Sequence, residues 1–202
     1  MILRIVILSA FMFLLSPTYA QENVKEPSTG KNFPGQVSFT HDGKNYTLTL
    51  TGVSVRKKLV FKVYGMAHYI ESFTKGGSQE AFDAVMADGK AKQITMEFAR
   101  DVDAAKIKET YEDSFKEHAT REELKAIKPS LDQFLGYFTQ DVKENDQFVL
   151  RWMPGGTIAS TIIGQEKPPI ADAAFARILW SIWFGEDSVV DRDDLVQRMV
   201  KE

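Results

Sequence analysis

The sequence predicts an α+β fold: a mainly antiparallel sheet covered by a helical layer. Three observations predict it. Several segments alternate apolar and polar residues with period two and are joined by turn signals short enough for hairpins. Other segments repeat apolar residues at helical spacing. The order is strands, helix, strand, helices, hairpin, helices. That gives too few strands, too often hairpin-linked, for a doubly wound parallel sheet.

Taken in order, residues 1–20 read MILRIVILSAFMFLLSPTYA. Arg4 is their only charge, and Ser9 is the sole polar residue in the apolar run Ile5–Leu15. This pattern predicts a secretory signal peptide cleaved after Ala20 and an exported, periplasmic protein with no membrane span in its mature form. No Cys exists to carry a lipid anchor. Residues 21–35, QENVKEPSTGKNFPG, are polar and rich in Pro and Gly, which predicts a flexible leader. Residues 36–202 are expected to form one domain.

Val37 and Phe39 alternate with polar neighbours, Asp42-Gly43 supplies a turn, and Tyr46, Leu48 and Leu50 alternate with threonines. This predicts a hairpin ended by Gly52. After the basic Arg56-Lys57-Lys58, residues 59–72 are apolar on both faces and read as a doubly buried strand. Ser78 is placed to cap a short helix carrying Phe82, Val85 and Met86. Ile94, Met96 and Phe98 mark a strand over 92–99. Asp103 is placed to cap a helix with the stripe Ile107, Tyr111 and Phe115. Thr120 to Glu123 is a capping box, and Pro129 opens a further helix. Strands over 147–153 and 157–164 flank Pro154-Gly155-Gly156. A helix over 171–184, stopped by Gly185, carries Phe175, Ile178, Leu179, Ile182 and Trp183. A last helix, 191–200, buries Leu195 and Met199.

Composition narrows the chemistry. The formal net charge is −3, and loss of Arg4 makes it one unit more negative, with no basic stripe of the nucleic-acid-binding kind. Without Cys there are no disulfides, thiolate nucleophiles or Cys metal ligands. His41, His68 and His118 are the three histidines, and no two lie at metal-ligand spacing. No nucleophile elbow or phosphate loop occurs. Fourteen Phe suit a large core or an apolar pocket. What remains is Arg56 ahead of the doubly apolar strand, with Tyr64 and His68 along it. Spacing alone favours a solvated basic turn for Arg56-Lys57-Lys58.

Residues Gly52-Val53-Ser54-Val55-Arg56-Lys57-Lys58-Leu59-Val60-Phe61-Lys62-Val63-Tyr64, running on to Tyr69-Ile70-Glu71, resemble the chalcone isomerase family. The likeness is greatest to its secreted bacterial branch of chalcone isomerase-like proteins. Phe98-Ala99-Arg100-Asp101-Val102, Phe134 to Val142, Met153-Pro154-Gly155-Gly156 and Phe175 to Gly185 fit the same pattern in the same order. The resemblance implies an open-faced β-sandwich with a ligand cleft between sheet and helices. It implies either an isomerase that closes a chalcone-like unsaturated ketone or a non-catalytic binder of fatty acids. Arg56 falls at the family's cleft arginine, which holds an enolate or a carboxylate. Tyr64 falls where the enzymes carry a threonine, and Lys108 matches a helix lysine. Ala105 and Glu112 replace the helix tyrosine and asparagine, and Tyr111 reads as core. Arg56, Tyr64 and Lys108 are therefore the expected ligand-binding residues, with no catalytic set and no cofactor. The expected partner is a small apolar carboxylate such as a fatty acid. An interaction module with a plugged cleft is the further alternative.

Overall fold

A computed structural model describes residues 22–201; the signal-peptide reading at 1–20 lies outside the described residues. Seven strands form one antiparallel meander in chain order: β3 (Gln36–His41), β4 (Lys44–Lys58), β5 (Phe61–Ile70), β6 (Lys92–Phe98), β7 (Gln147–Met153), β8 (Thr157–Ile162) and β9 (Gln165–Ala171). Helices α1 (Ser78–Met86), α2 (Ala104–His118), α3 (Arg121–Ala126), α4 (Lys128–Leu135), α5 (Ala173–Phe184) and α6 (Arg192–Val196) supply the other layer. The architecture is the predicted α+β open-faced sandwich.

The main core lies between sheet and helices. It joins Met66, Ile94, Met96 and Leu150 to Phe115, Phe134, Trp180 and Trp183, among others. Helix α5 is its centre: most of its 12 residues are buried, so its apolar surface is continuous rather than a stripe. Asp172 caps it by accepting the Phe175 N–H at 3.0 Å. A smaller core on the opposite face of the sheet joins Tyr46, Leu48, Leu50, Ala67 and Tyr69 to Phe33.

Phe33 marks a departure from expectation. Residues 21–35 were expected to be a flexible leader, but β1 (Asn23–Lys25) and β2 (Asn32–Pro34) pair as an antiparallel ribbon. Glu26 is buried at its turn and accepts from the backbone N–H groups of Ser28 (2.8 Å) and Thr29 (2.6 Å) and from the Thr29 hydroxyl. Burial alone would raise the Glu26 pKa; these hydrogen bonds outweigh it and hold the pKa below its usual value. The Pro and Gly signals marked a tight turn, and one large apolar residue fixed the ribbon to the sheet.

Strand β4 also departs. It does not end at Gly52 but runs on to Lys58, so Arg56 stands within a strand instead of in a turn. Leu50 faces Tyr69, whereas Gly52 faces His68, so Thr51 is an extra residue on β4. This β-bulge reverses the alternation of everything after it. Leu48 and Leu50 face the small core, while Gly52, Ser54 and Arg56 face the helices. The Thr51 hydroxyl fixes the bulge through the Leu195 carbonyl (2.6 Å) and His68 Nδ1 (2.7 Å). Gly52 permits it: a Cβ there would lie 2.0 Å from the Asp194 carbonyl oxygen.

Strand β9, which no element read from the sequence anticipates, carries Pro168 and Pro169. It is the sheet's edge, where a missing N–H breaks no second ladder. Smaller differences concern caps. Gly77, not Ser78, is the N-cap of α1, with Glu80 accepting its N–H at 2.9 Å. Asp103 is the N-cap of α2 but makes no side-chain cap bond; the Ala104 N–H donates to Asp141 Oδ1 at 3.0 Å. The last helix is shorter than expected, α6 giving way to a 3-10 turn over Gln197–Met199.

Candidate functional site

Arg56 and Tyr64 are direct cross-strand partners on β4 and β5, and Tyr64 is in turn opposite Phe98 on β6. Opposite residues on paired strands share a face. The three side chains therefore form a row beneath the helical layer. The row floors a cleft of about 590 Å³ between the sheet and α2, closed on the far side by Ile182 and Trp183 of α5. Its walls are mostly apolar, including Val63, Met96, Ile107 and Phe148. A volume and lining of this kind suit a small-molecule site. The cleft is open, so the plugged alternative does not describe it.

Arg56 is half-buried, and its Nη1 donates to the Val189 carbonyl at 2.8 Å. No acidic side chain forms an ion pair with it among the described residues. A guanidinium carries five N–H donors in a planar fork, so one carbonyl leaves most of that capacity unused. The charges nearer the rim are differently placed. Lys106 pairs with Glu109 at 2.7 Å, and Asp101 accepts from Lys143 at 3.1 Å and from the Glu144 N–H at 2.9 Å. Those contacts, the backbone N–H first, hold the Asp101 carboxyl below its usual pKa.

The Tyr64 hydroxyl accepts the Trp183 indole N–H at 3.0 Å, which leaves its own proton to donate into the cleft. Burial raises its pKa, against the opposing pull of the Arg56 charge and the Trp183 bond. Tyr111, expected to be core, is buried and also lines the cleft; burial, then Tyr64, puts its pKa well above the phenol value. Both phenols are protonated donors at neutral pH. The site thus presents an unpaired cation and protonated hydroxyls over an apolar trough. That arrangement can hold an anionic oxygen and shelter a hydrocarbon body.

Lys108 is not among the residues lining the cleft; Lys106 is. Residues two positions apart on a helix lie about 200° apart around its axis, so Lys106 and Lys108 cannot share that wall. Arg100 and Trp183 also line the cleft and were not singled out from the sequence. The alternation of β6 places Phe98 but not Arg100, two residues past the strand end. Trp183 read simply as a core position on its helix. His68 faces the helices but is fully buried beneath Phe184 and Trp180, away from the cleft lining.

A family model described as chalcone isomerase-like matches residues 28–199. No curated protein matches the chain. Among solved structures, a fatty-acid binding protein of Arabidopsis thaliana superposes with a TM-score of 0.70 at 19% identity, covering 88% of this chain and 97% of that one. At that identity the likeness shows a shared fold.

Proposed function

This chain belongs to the chalcone isomerase-like family, and from that premise we propose that it is a non-catalytic binder of a small apolar carboxylate, such as a fatty acid. The observation that carries the reading is the Arg56 guanidinium, without a carboxylate partner, beside the Tyr64 hydroxyl at the floor of an apolar cleft. A desolvated cation is costly unless an anion meets it, and a carboxylate fits the guanidinium fork. The fatty-acid binding protein of the same fold supports the choice of ligand class.

Calorimetric titration with laurate tests it. Arg56→Ala should weaken binding by a charge-assisted hydrogen bond, about 1.5–3 kcal/mol, or roughly tenfold to over a hundredfold. Arg56→Lys should recover part of the loss, because an ammonium lacks the fork. Unchanged laurate affinity in Arg56→Ala, with a sharply lower melting temperature, would make Arg56 a structural residue. The same protein should not accelerate chalcone cyclisation. Saturable turnover that Arg56→Ala abolishes would favour an isomerase instead.

The signal-like segment at 1–20 supports a periplasmic setting. Protein recovered from the periplasm should begin at Gln21; membrane-bound protein with Met1 intact would refute that.

A further inference from the structure

The exposed large apolar side chains of the described residues are consecutive: Leu59, Val60 and Phe61, at 89%, 84% and 55% exposure. They form the tip of the β4–β5 hairpin. Basic residues frame them, with Lys57 and Lys58 before the tip and Lys62 after it, all exposed. The Arg100 guanidinium lies 4.9 Å from the centroid of the Phe61 ring. Leu59 has φ +55°, a conformation that Gly or Asn adopts more readily, so a large apolar residue stands where the backbone favours another. Leu59 and Phe61 also line the mouth of the cleft, with Lys58 and Arg100 beside them. The acidic groups there are Asp101, already engaged by Lys143, and Asp103.

We propose that this hairpin docks the protein on an anionic lipid bilayer. Leu59 and Val60 enter the acyl boundary, while Lys57, Lys58 and Arg100 meet the head groups; the Lys62 ammonium donates to the Ser28 carbonyl. An apolar tip collared by cations is the pattern of interfacial insertion, and it occurs here on a chain whose net charge is negative. The attraction is therefore local to the tip. A second copy of this chain fits less well, since pairing tip to tip would bring two such collars together. Docking would set the cleft mouth against the bilayer, giving an apolar ligand a path that avoids water. Only that consequence rests on the fatty-acid reading; docking itself does not.

The test is co-sedimentation of residues 21–202, which contain all the strands and helices described, with two kinds of vesicle. One is phosphatidylglycerol mixed with phosphatidylethanolamine, the other phosphatidylcholine alone. Binding should favour the anionic vesicles and weaken as salt rises. Val60→Asp, a residue outside the cleft lining, should reduce binding at least tenfold. Lys57→Gln should reduce it about fivefold, the effect of one cation near an anionic surface. Thermal melts and laurate titrations without vesicles should match the parent for both variants. Equal binding to the two vesicle types, no binding to either, or binding unaffected by Val60→Asp would overturn the proposal. So would a dimer in sedimentation velocity that Val60→Asp converts to monomer, which would make the tip a self-association surface. Loss of laurate binding alone would refute the fatty-acid reading and leave docking standing.

Discussion

Tyr64 shows how one side chain takes two roles from its neighbours. It accepts from Trp183, which fixes the hydroxyl, and it is held protonated by burial, which keeps it a donor. Tyr64→Phe removes both. Laurate affinity should fall about two- to tenfold, the value of one neutral hydrogen bond, which is less than the loss in Arg56→Ala. An equal loss in the two variants would mean that they act as a single unit. His68 gives a different residue-scale prediction. Burial first, then the nearby Lys92 charge, depresses its pKa well below the usual imidazole value. Above about pH 6.5 the ring is neutral in both folded and unfolded chains and contributes no pH dependence. Below that, the unfolded chain takes a proton that the folded one refuses, so stability falls with pH at up to about 1.4 kcal/mol per unit. Urea denaturation between pH 7.5 and 5.5 should show this slope, and His68→Gln should flatten it whatever its overall stability. A slope unchanged in the variant would assign the effect to other groups.

At the scale of the element, the Thr51 bulge decides which way the site faces. Were Thr51 paired regularly, with no bulge, Arg56 would continue the face of Leu48 and Leu50 and point away from the cleft. Inserting one Ala between Val53 and Ser54 turns Arg56 to the leucine face and should abolish laurate binding even in protein that still shows sheet and helix by circular dichroism. Retained binding would show that the register re-forms elsewhere. Gly52→Ala probes the same place by volume. Its methyl would collide with backbone of the α6 segment, not with a flexible side chain, so α6 must move. The expected destabilisation is about 3 kcal/mol, at the upper end for overpacking, measured from urea midpoints. In the sequence, Gly52 read as a strand end. Glycine in a strand marks either a stop or a close backbone approach, and local pattern does not separate the two.

For the whole molecule, the notable feature is a sheet covered on both faces by unequal layers. The helices cover one side, and the β1–β2 ribbon covers part of the other. Phe33 is 1% exposed there, and Lys31 pairs with Glu97 at 3.0 Å across to β6. Removing residues 22–35 should uncover Ala67, Tyr69 and the β4 leucines. We expect a lower melting temperature and binding of an apolar dye, with the helical cleft and its laurate affinity retained. A melt unchanged by the deletion would return the segment to the status of a leader.

The antiparallel α+β architecture, the two-residue turn at Asp42-Gly43, the capping box at Thr120 and the buried faces of α2 and α5 are all legible in the residues. Each of these is written in residues a few positions apart, where period, cap and turn chemistry act. The family pattern also marked Arg56 and Tyr64 as residues of interest. Packing between strands and layers made them partners across two strands, turned Arg56 to the helical side at the Thr51 bulge, and brought Lys106 rather than Lys108 to the cleft. It likewise decided that Tyr111 is both core and wall, and that a Pro-rich segment completes the sheet edge. The physical reason is common to all of these. Bulges, edge positions and cleft walls are set by what lies across the sheet or in the next layer, and local spacing carries no record of those neighbours.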